Sequence, residues 1–207
     1  MSKVYNNNFI FIDSYYTYNL KLAVGKLILL ENLFFNHYLL KIMEIMNRKL
    51  IDPKERKFPE NVCFRPIGIM HTPFKSLKGI PIQSTMSTNK GEIEIFDEFK
   101  AGLKDLSGFS HLYCLFLFDM VKLPVPLQSK PFLDNEERGI FAIRSPFRPN
   151  PLGLSVLEIL EINDNIIHVK NVDILDKTPI LDLKPYIPQF DNIEIKKIGW
   201  LKGKIQR

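Results

Sequence analysis

The chain has 207 residues, of which 45% are hydrophobic and 12% aromatic, enough to bury a substantial core in one soluble domain with an appendage. Its net charge of +5 permits an anionic partner such as RNA, but so small an excess does not establish one. Two cysteines, Cys63 and Cys114, exclude a disulfide framework and a zinc site. Cys114 lies within "HLYCLFLF", where a small buried hydrophobe is expected.

The N-terminal segment differs in character from the rest of the chain. From Leu20 to Met46 apolar residues dominate, but charged residues interrupt them every few positions, so no uncharged span reaches the roughly 18 residues of a membrane helix. The spacing of the polar residues predicts a helix with a wide apolar face, which packs on the body or on a second subunit. An interfacial membrane helix is the alternative. The N-terminus lacks the features of a secretory signal, so the cytoplasm is the expected location.

A basic linker follows this helix. The stretch "RKLIDPKERKFPEN" is rich in charge, and Pro53 and Pro59 stop any helix within it. We therefore expect an N-terminal helical extension with its linker over residues 1–60 and a separate domain over residues 61–207.

From Cys63 onward the periodicity becomes that of β-strands. Short apolar runs are separated by Gly, Pro, Asn or Asp, namely "CFRPIGIMH", "GEIEIFDEF", "HLYCLFLFDMV", "GIFAIR", "LGLSVLEILEI", "NIIHVKNVDIL" and "IEIKKIGWL". They predict a mainly β protein with an antiparallel barrel or sandwich, and one turn of helix around Phe99 to Leu106. No Gly-rich phosphate loop, HExxH or paired CxxC is present, so neither a doubly wound nucleotide fold nor a metal site is expected.

Several acids lie beside these apolar runs. Asp119 closes "LYCLFLF", and Asp173 and Asp176 frame "DILD". Carboxylates in such places are costly to desolvate unless they are paired, hydrogen-bonded or facing a pocket. For Asp119, capping of the strand end and a ligand role both stay open.

The segment "RSPFRPNPLG" carries two arginines, Arg144 and Arg148, among three prolines. Each proline fixes its own φ near −65°, so the segment loses less entropy on ordering than a flexible loop. The guanidinium groups are then presented in a defined geometry that suits a carboxylate or phosphate. The alternative is that they only form ion pairs with nearby acids, namely Asp173, Asp176 or Asp182.

Four segments together resemble a known family. "RPIGIMHTPFK", "GFSHLYCLFLF", "GIFAIRSPFRPNPLGLS" and "DILDKTPILDLKPY", in this order, resemble the TsaA-like family, also called TrmO or YaeB-type proteins. The resemblance implies a single antiparallel β-barrel and a dimer. It also implies an S-adenosylmethionine-dependent methyltransferase that acts on N6 of threonylcarbamoyladenosine beside the tRNA anticodon.

The resemblance further implies a set of residues that contact S-adenosylmethionine. They are Gln83, Ser84, Thr85, Phe118, Asp119, Arg144, Leu154, Asp173, Ile174, Leu175 and Asp176. Arg144 is expected to hold the carboxylate of the zwitterionic donor, and an acid to accept from its amino group or ribose hydroxyls. Apolar walls are expected from Phe118, Leu154, Ile174 and Leu175.

No catalytic residue is assigned by this comparison. Methyl transfer from a sulfonium requires in-line approach and no metal, so a shaped pocket does most of the task. A base for the nitrogen proton is expected among three acids, Asp119, Asp173 or Asp182, unless the proton passes to water after transfer.

The chain departs from the family pattern at three positions. Members commonly have His at Asp119, a basic residue at Ile82 and Gly at Lys177, and Lys177 costs roughly 1 kcal/mol if its φ is positive. The sequence ends soon after Trp200, where larger bacterial members carry a domain linked to tRNA binding. Basic residues are instead expected to contact tRNA phosphates, namely Arg48, Lys49, Lys54, Arg56, Lys57, Lys196, Lys197, Lys202, Lys204 and Arg207.

Three hypotheses follow. The first is a tRNA methyltransferase, and the second is a module that binds S-adenosylmethionine without transferring its methyl group. The third is a structural partner whose N-terminal helix docks another protein.

Overall fold

The computed structural model describes residues 53–205. The chain divides into two units between Val62 and Cys63, and the description below concerns the second. The helix predicted between Leu20 and Met46 lies outside the described residues.

The second unit is built on a closed antiparallel barrel, which confirms the predicted mainly β class. The barrel strands are β1 (Gly68–His71), β2 (Lys90–Ile95), β3 (His111–Leu117), β6 (Leu152–Asn163), β7 (Ile166–Lys170) and β8 (Pro179–Pro185). Their order around the barrel is β1-β2-β7-β6-β3-β8. A separate pair is formed by β4 (Gln128–Ser129) and β5 (Arg138–Gly139), and a short helix, α1, spans Pro188–Asp191.

Strict alternation of side chains fills the barrel interior. In β3, alternate residues are buried, so that Leu112, Cys114 and Phe116 point inward. Cys114 is fully buried, as the apolar run around it predicts. The neighbouring β6 pairs with β3 over its first seven residues and places Gly153 opposite Phe116. A Cβ atom at Gly153 would lie 2.2 Å from the Phe116 ring, so only glycine leaves room for this ring.

The predicted turn of helix is confirmed as two 3-10 segments, Asp97–Leu103 and Leu106–Gly108. Two predicted strands are wrong. Of "GIFAIR", only Gly139 is in a strand, and the run continues as a 3-10 turn, Ile140–Ala142. "IEIKKIGWL" forms no strand, because β1 and β8 already close the barrel and leave it no edge to join.

One strand of the barrel is absent from the predicted set. β8 consists of "PILDLKP", whose charges and flanking prolines disguise its apolar alternation. It nevertheless pairs with β3 on one side and β1 on the other. Within the described part of the chain, no helix is long and apolar enough to cross a bilayer.

Candidate functional site

Asp173 joins three segments of the barrel domain at one point. Its Oδ1 accepts a hydrogen bond of 2.7 Å from the Ser155 hydroxyl on β6. The backbone N–H of Ser84, in the 3-10 turn Ser84–Met86, also donates to this carboxylate. Ser84 itself is buried. A single carboxylate therefore fixes the loop before β2 and the loop after β7 against β6.

The surroundings of Asp173 are those of a partly desolvated acid. Burial raises the pKa of its carboxyl, although the bonds from Ser155 and Ser84 oppose the shift. Cys114 lies opposite Ser155 on β3, and burial, together with the negative charge of Asp173, raises the pKa of its thiol far above the usual range. The thiol stays protonated, which excludes it as a nucleophile at neutral pH.

Arg144 lies on the loop that precedes β6 and reaches the same group of residues. Its Nη1 donates to Oε1 of Gln83 at 2.7 Å, and Nε2 of Gln83 donates in turn to the carbonyl of Ile82 at 2.8 Å. Gln83 directly precedes Ser84, so the guanidinium is held beside the segment that binds Asp173. Arg144 is exposed, which leaves its other N–H groups accessible to a ligand.

Arg148 has a different role from Arg144. Its Nη1 donates to the carbonyls of Ile140 and Ile143, at 3.0 and 2.7 Å, and its guanidinium lies 5.9 Å from the centre of the Phe141 ring. It therefore holds the backbone just before Arg144.

The alternative that both arginines only pair with nearby acids is wrong, because those acids have other partners. Asp182 pairs with Lys184 at 2.6 Å. Asp176 accepts from the Thr72 N–H at 2.9 Å and pairs with Lys75 at 2.7 Å, and these two contacts, Lys75 first, lower the pKa of its carboxyl. Both oxygens of Asp176 thus fasten the loop after β1 in this structure.

The remaining predicted residues are spread around the end of the barrel near the C-terminus of β3. Leu154 is 62% exposed on the outer face of β6, and Phe118 packs edge-on against Phe116 at 5.1 Å. Thr85 and Asp119 are exposed, and Leu175 is half-buried.

Ile174 departs from the expected apolar wall. Its side chain is 1% exposed and packs in the barrel core, so it offers no apolar surface to a ligand. Its carbonyl accepts from the Thr72 hydroxyl at 3.1 Å.

Two cavities of the described region lie elsewhere. One, of about 540 Å³, is lined by residues of β1, β2, β6 and β7 that include His71, Glu92 and His168. The other, of about 380 Å³, lies beside the 3-10 segments after β2. Neither is lined by any of the eleven residues predicted to contact the donor. Within residues 53–205 no group of three or more His, Cys, Asp or Glu side chains is arranged to hold a metal ion.

Sequence reasoning missed Ser155, which anchors Asp173. The available signal is its position in "LGLSVL", where alternation puts its hydroxyl on the buried face between Gly153 and Leu157. A buried hydroxyl requires a hydrogen-bond partner, and the nearby acids are the natural candidates.

Comparison with known proteins places this arrangement in a family. Residues 69–192 match the model of the tRNA-methyltransferase O N-terminal domain. A relative from Pyrococcus abyssi, described as a probable S-adenosyl-L-methionine-binding protein, is 45% identical over 150 residues, which cover 72% of this chain and 81% of the relative. The tRNA (adenine(37)-N6)-methyltransferase of Escherichia coli is 33% identical over 135 residues, covering 60% of this chain and 57% of the enzyme.

A solved structure agrees with these matches. The crystal structure of TrmO from Pseudomonas aeruginosa aligns with a TM-score of 0.58 and 31% identity, over 67% of this chain and 62% of that one. The chain thus spans less than two thirds of these two bacterial relatives. The family match extends from β1 through β8 and includes Asp173 and Arg144. The chain belongs to the tRNA-methyltransferase O N-terminal domain family.

Proposed function

We propose that this protein is an S-adenosylmethionine-dependent methyltransferase acting on N6 of threonylcarbamoyladenosine next to the tRNA anticodon. The observation that carries the proposal is the exposed Arg144 guanidinium, which binds Gln83, while the next residue, Ser84, donates its N–H to the carboxylate of Asp173. A zwitterionic amino acid needs one cationic and one anionic partner, and Arg144 and Asp173 are of these two kinds.

In this proposal Arg144 binds the carboxylate of the donor through the N–H groups that Gln83 does not engage. Asp173 accepts from the donor's amino group or ribose hydroxyls, and Leu154 offers apolar surface nearby. The reaction moves the methyl group from the sulfonium to N6: a C–S bond breaks with its electrons going to sulfur, an N–C bond forms, and the nitrogen loses one proton. Positioning of the two reactants supplies most of the rate.

Asp173 is the favoured base among the three candidate acids. It accepts hydrogen bonds from Ser84, a predicted donor-binding residue, and from Ser155, and burial raises its pKa, which makes it a better proton acceptor than an ordinary aspartate. Asp182 is engaged by Lys184, and Asp119 lies in an exposed turn.

A tRNA substrate is supported by the relatives from Escherichia coli and Mus musculus, both of which are named tRNA (adenine(37)-N6)-methyltransferases. Lys196, Lys197 and Lys202 are exposed, and none of the ion pairs between described residues involves them. Lys204 instead pairs with Asp134 at 2.6 Å, so its ammonium is already engaged in the free protein. Lys54, Arg56 and Lys57 are exposed in the first unit, while Arg48, Lys49 and Arg207 lie outside the described residues.

A second candidate function is a module that binds the donor without transferring its methyl group. Several archaeal relatives, including one from Archaeoglobus fulgidus at 41% identity over 130 residues, are named S-adenosyl-L-methionine-binding proteins. This function would use the same Arg144 and Asp173 pair.

A labelled-transfer assay separates the two functions. The full chain, incubated with methyl-labelled S-adenosylmethionine, should label tRNA that carries threonylcarbamoyladenosine and leave tRNA lacking it unlabelled. Arg144→Ala should abolish transfer, because the donor loses its carboxylate partner. Arg65→Ala provides the control, since Arg65 is an exposed arginine paired with Glu98 outside the site.

Calorimetry with S-adenosylmethionine, combined with the transfer assay, gives the outcomes that count against the proposal. Saturable donor binding by calorimetry without transfer to any tRNA would establish the binding module instead. Absence of donor binding by the folded protein would overturn both functions.

A further inference from the structure

The C-terminal segment of the domain lies against the turn that carries Arg144. After β8 and α1 the chain reaches a 3-10 turn, Gly199–Leu201, and Nε1 of Trp200 donates to the carbonyl of Ala142 at 2.8 Å. Ala142 is only two residues before Arg144. This contact links the end of the described chain to the candidate site across 58 residues of sequence.

Side chains hold the carbonyl groups of this turn from two directions. Arg148 binds the carbonyls of Ile140 and Ile143, and Trp200 binds that of Ala142. The N–H of Ile140 donates to the carbonyl of Leu127 at 2.9 Å. A 3-10 turn this short has little internal hydrogen bonding, so these external donors determine the direction in which the chain leaves it.

Ion pairs fasten Trp200 in place. Arg138 and Lys204 both bind the carboxylate of Asp134, each at 2.6 Å, and these contacts, Lys204 first, hold the pKa of that carboxyl well below its usual range. The same two cations lie over the Trp200 ring, at 5.9 and 5.8 Å from its centre. The side chain of Asp134 is 7% exposed, so this is a built contact and not a loose surface pair.

We propose that Trp200 is a positioning residue for donor binding: its indole N–H fixes the carbonyl of Ala142 and thereby aims Arg144 at the donor's carboxylate. The proposal rests on the proposed function, since it takes Arg144 as the carboxylate ligand. Trp200 acts through the backbone of the turn and through the bond between Arg144 and Gln83.

The test measures S-adenosylmethionine affinity by calorimetry on the full chain. Trp200→Phe keeps a ring between Arg138 and Lys204 but removes the indole N–H that binds the carbonyl of Ala142. The dissociation constant for S-adenosylmethionine should therefore rise about five-fold, the effect of one lost neutral hydrogen bond. In an Arg144→Ala background the same substitution should change it less than about two-fold, because the group that it aims is gone. Tyr186→Phe is the matched control. It removes another aromatic side chain's hydrogen bond in the C-terminal segment, the 2.8 Å bond from the Tyr186 hydroxyl to Asn192, and should leave the affinity for S-adenosylmethionine unchanged.

Equal losses in both backgrounds would show a general effect on the fold and would overturn the proposal, as would an unchanged affinity for Trp200→Phe.

Amide hydrogen exchange distinguishes failure of the proposed role of Trp200 from failure of the proposed methyltransferase function. Trp200→Phe should accelerate exchange across residues 139–144 while Tyr186→Phe does not, and this result needs no donor. If the unmodified protein binds no donor, the proposed function falls and the role of Trp200 in aiming Arg144 at the donor falls with it. Faster exchange would then show only that Trp200 orders the turn, whereas unchanged exchange would remove that as well.

Discussion

At the scale of single residues, the candidate site depends on how each charged side chain is already engaged. Arg144 and Arg148 are four positions apart in one proline-rich segment. Arg144 presents its guanidinium to solvent, whereas Arg148 donates hydrogen bonds to backbone carbonyls. Composition cannot separate such roles, because both follow from which carbonyls the folded turn leaves within reach. Asp173 and Asp176 are both engaged but differ in the direction of their pKa shifts: burial raises the pKa of Asp173, whereas Lys75 and Thr72 lower that of Asp176.

The two aspartates should have opposite effects on stability as pH changes. The folded-state pKa of Asp173 lies above the ordinary value of 3.8, so the folded protein retains a proton that the unfolded chain has released. Its contribution to the free energy of unfolding therefore falls as pH rises through the window above 3.8. We expect wild type to lose stability relative to Asp173→Asn as pH rises above 3.8, measured by urea unfolding across a pH series.

Asp176→Asn is the matched comparison, because the pKa of Asp176 is lowered by Lys75 and Thr72. Its contribution is present above 3.8 and is lost as pH falls below that value. The wild-type advantage over Asp176→Asn should therefore shrink on acidification. Parallel pH profiles for the two variants would contradict both assignments.

At the scale of elements, the sequence predicted most barrel strands because their alternation is unbroken. β3 and β7 follow it throughout, and their predicted cores are buried. "GIFAIR" has a similar composition, but Arg148 and Trp200 capture its carbonyls and turn it into a 3-10 segment. That outcome depends on residues up to 58 positions away, which no local pattern contains. β8 was missed for the opposite reason, since pairing on both sides overrides its unfavourable local composition.

Lys177, in the loop before β8, has a backbone conformation that favours glycine. Its φ is positive, at 66°, at a position where members of the family commonly have Gly. The N–H of Lys177 donates to the carbonyl of Met70 at 2.7 Å. Glycine adopts this conformation without a Cβ penalty, so Lys177→Gly should raise the free energy of unfolding by up to about 1 kcal/mol in urea titrations.

Asn171 offers the control for this substitution, because its φ is also 66° and asparagine tolerates the left-handed region. Asn171→Gly should therefore gain less than Lys177→Gly. A larger gain at Asn171 would mean that side-chain contacts, and not backbone strain, decide stability at these turns.

At the scale of the whole molecule, the proposed function comes from the family resemblance, whereas the mainly β fold was predictable from the strand pattern. The eleven residues taken from the resemblance include a group that the structure brings together, Gln83, Ser84, Arg144 and Asp173. They also include Ile174, whose side chain serves the core. A resemblance transfers positions, but it cannot say whether a given position contributes a side chain or only a backbone group.

We propose that the protein is a homodimer, as the resemblance implies. The segment between β3 and β6 exposes large apolar side chains, among them Leu127 at 64% and Phe132 at 86%. Sedimentation equilibrium of the full chain should give about twice 24.2 kDa, and Leu127→Ser with Phe132→Ser should shift the protein toward monomer.

Phe190→Ser provides the control, since Phe190 is similarly exposed, at 71%, but lies on α1. If the double variant stays dimeric and deletion of residues 1–60 produces a monomer, the interface belongs to the N-terminal segment instead. A monomeric full chain would contradict dimerisation altogether.

Closure of the barrel limits how any such partner can attach. Each of the six barrel strands already has a neighbour on both sides, although β1 and β8 share only two residue pairs. The barrel therefore offers no row of unpaired backbone amides onto which a foreign strand could be added, and the separate β4–β5 pair is only two residues long. Self-association through this barrel would therefore use side chains and loops of the described residues, which makes it open to tuning by point substitutions.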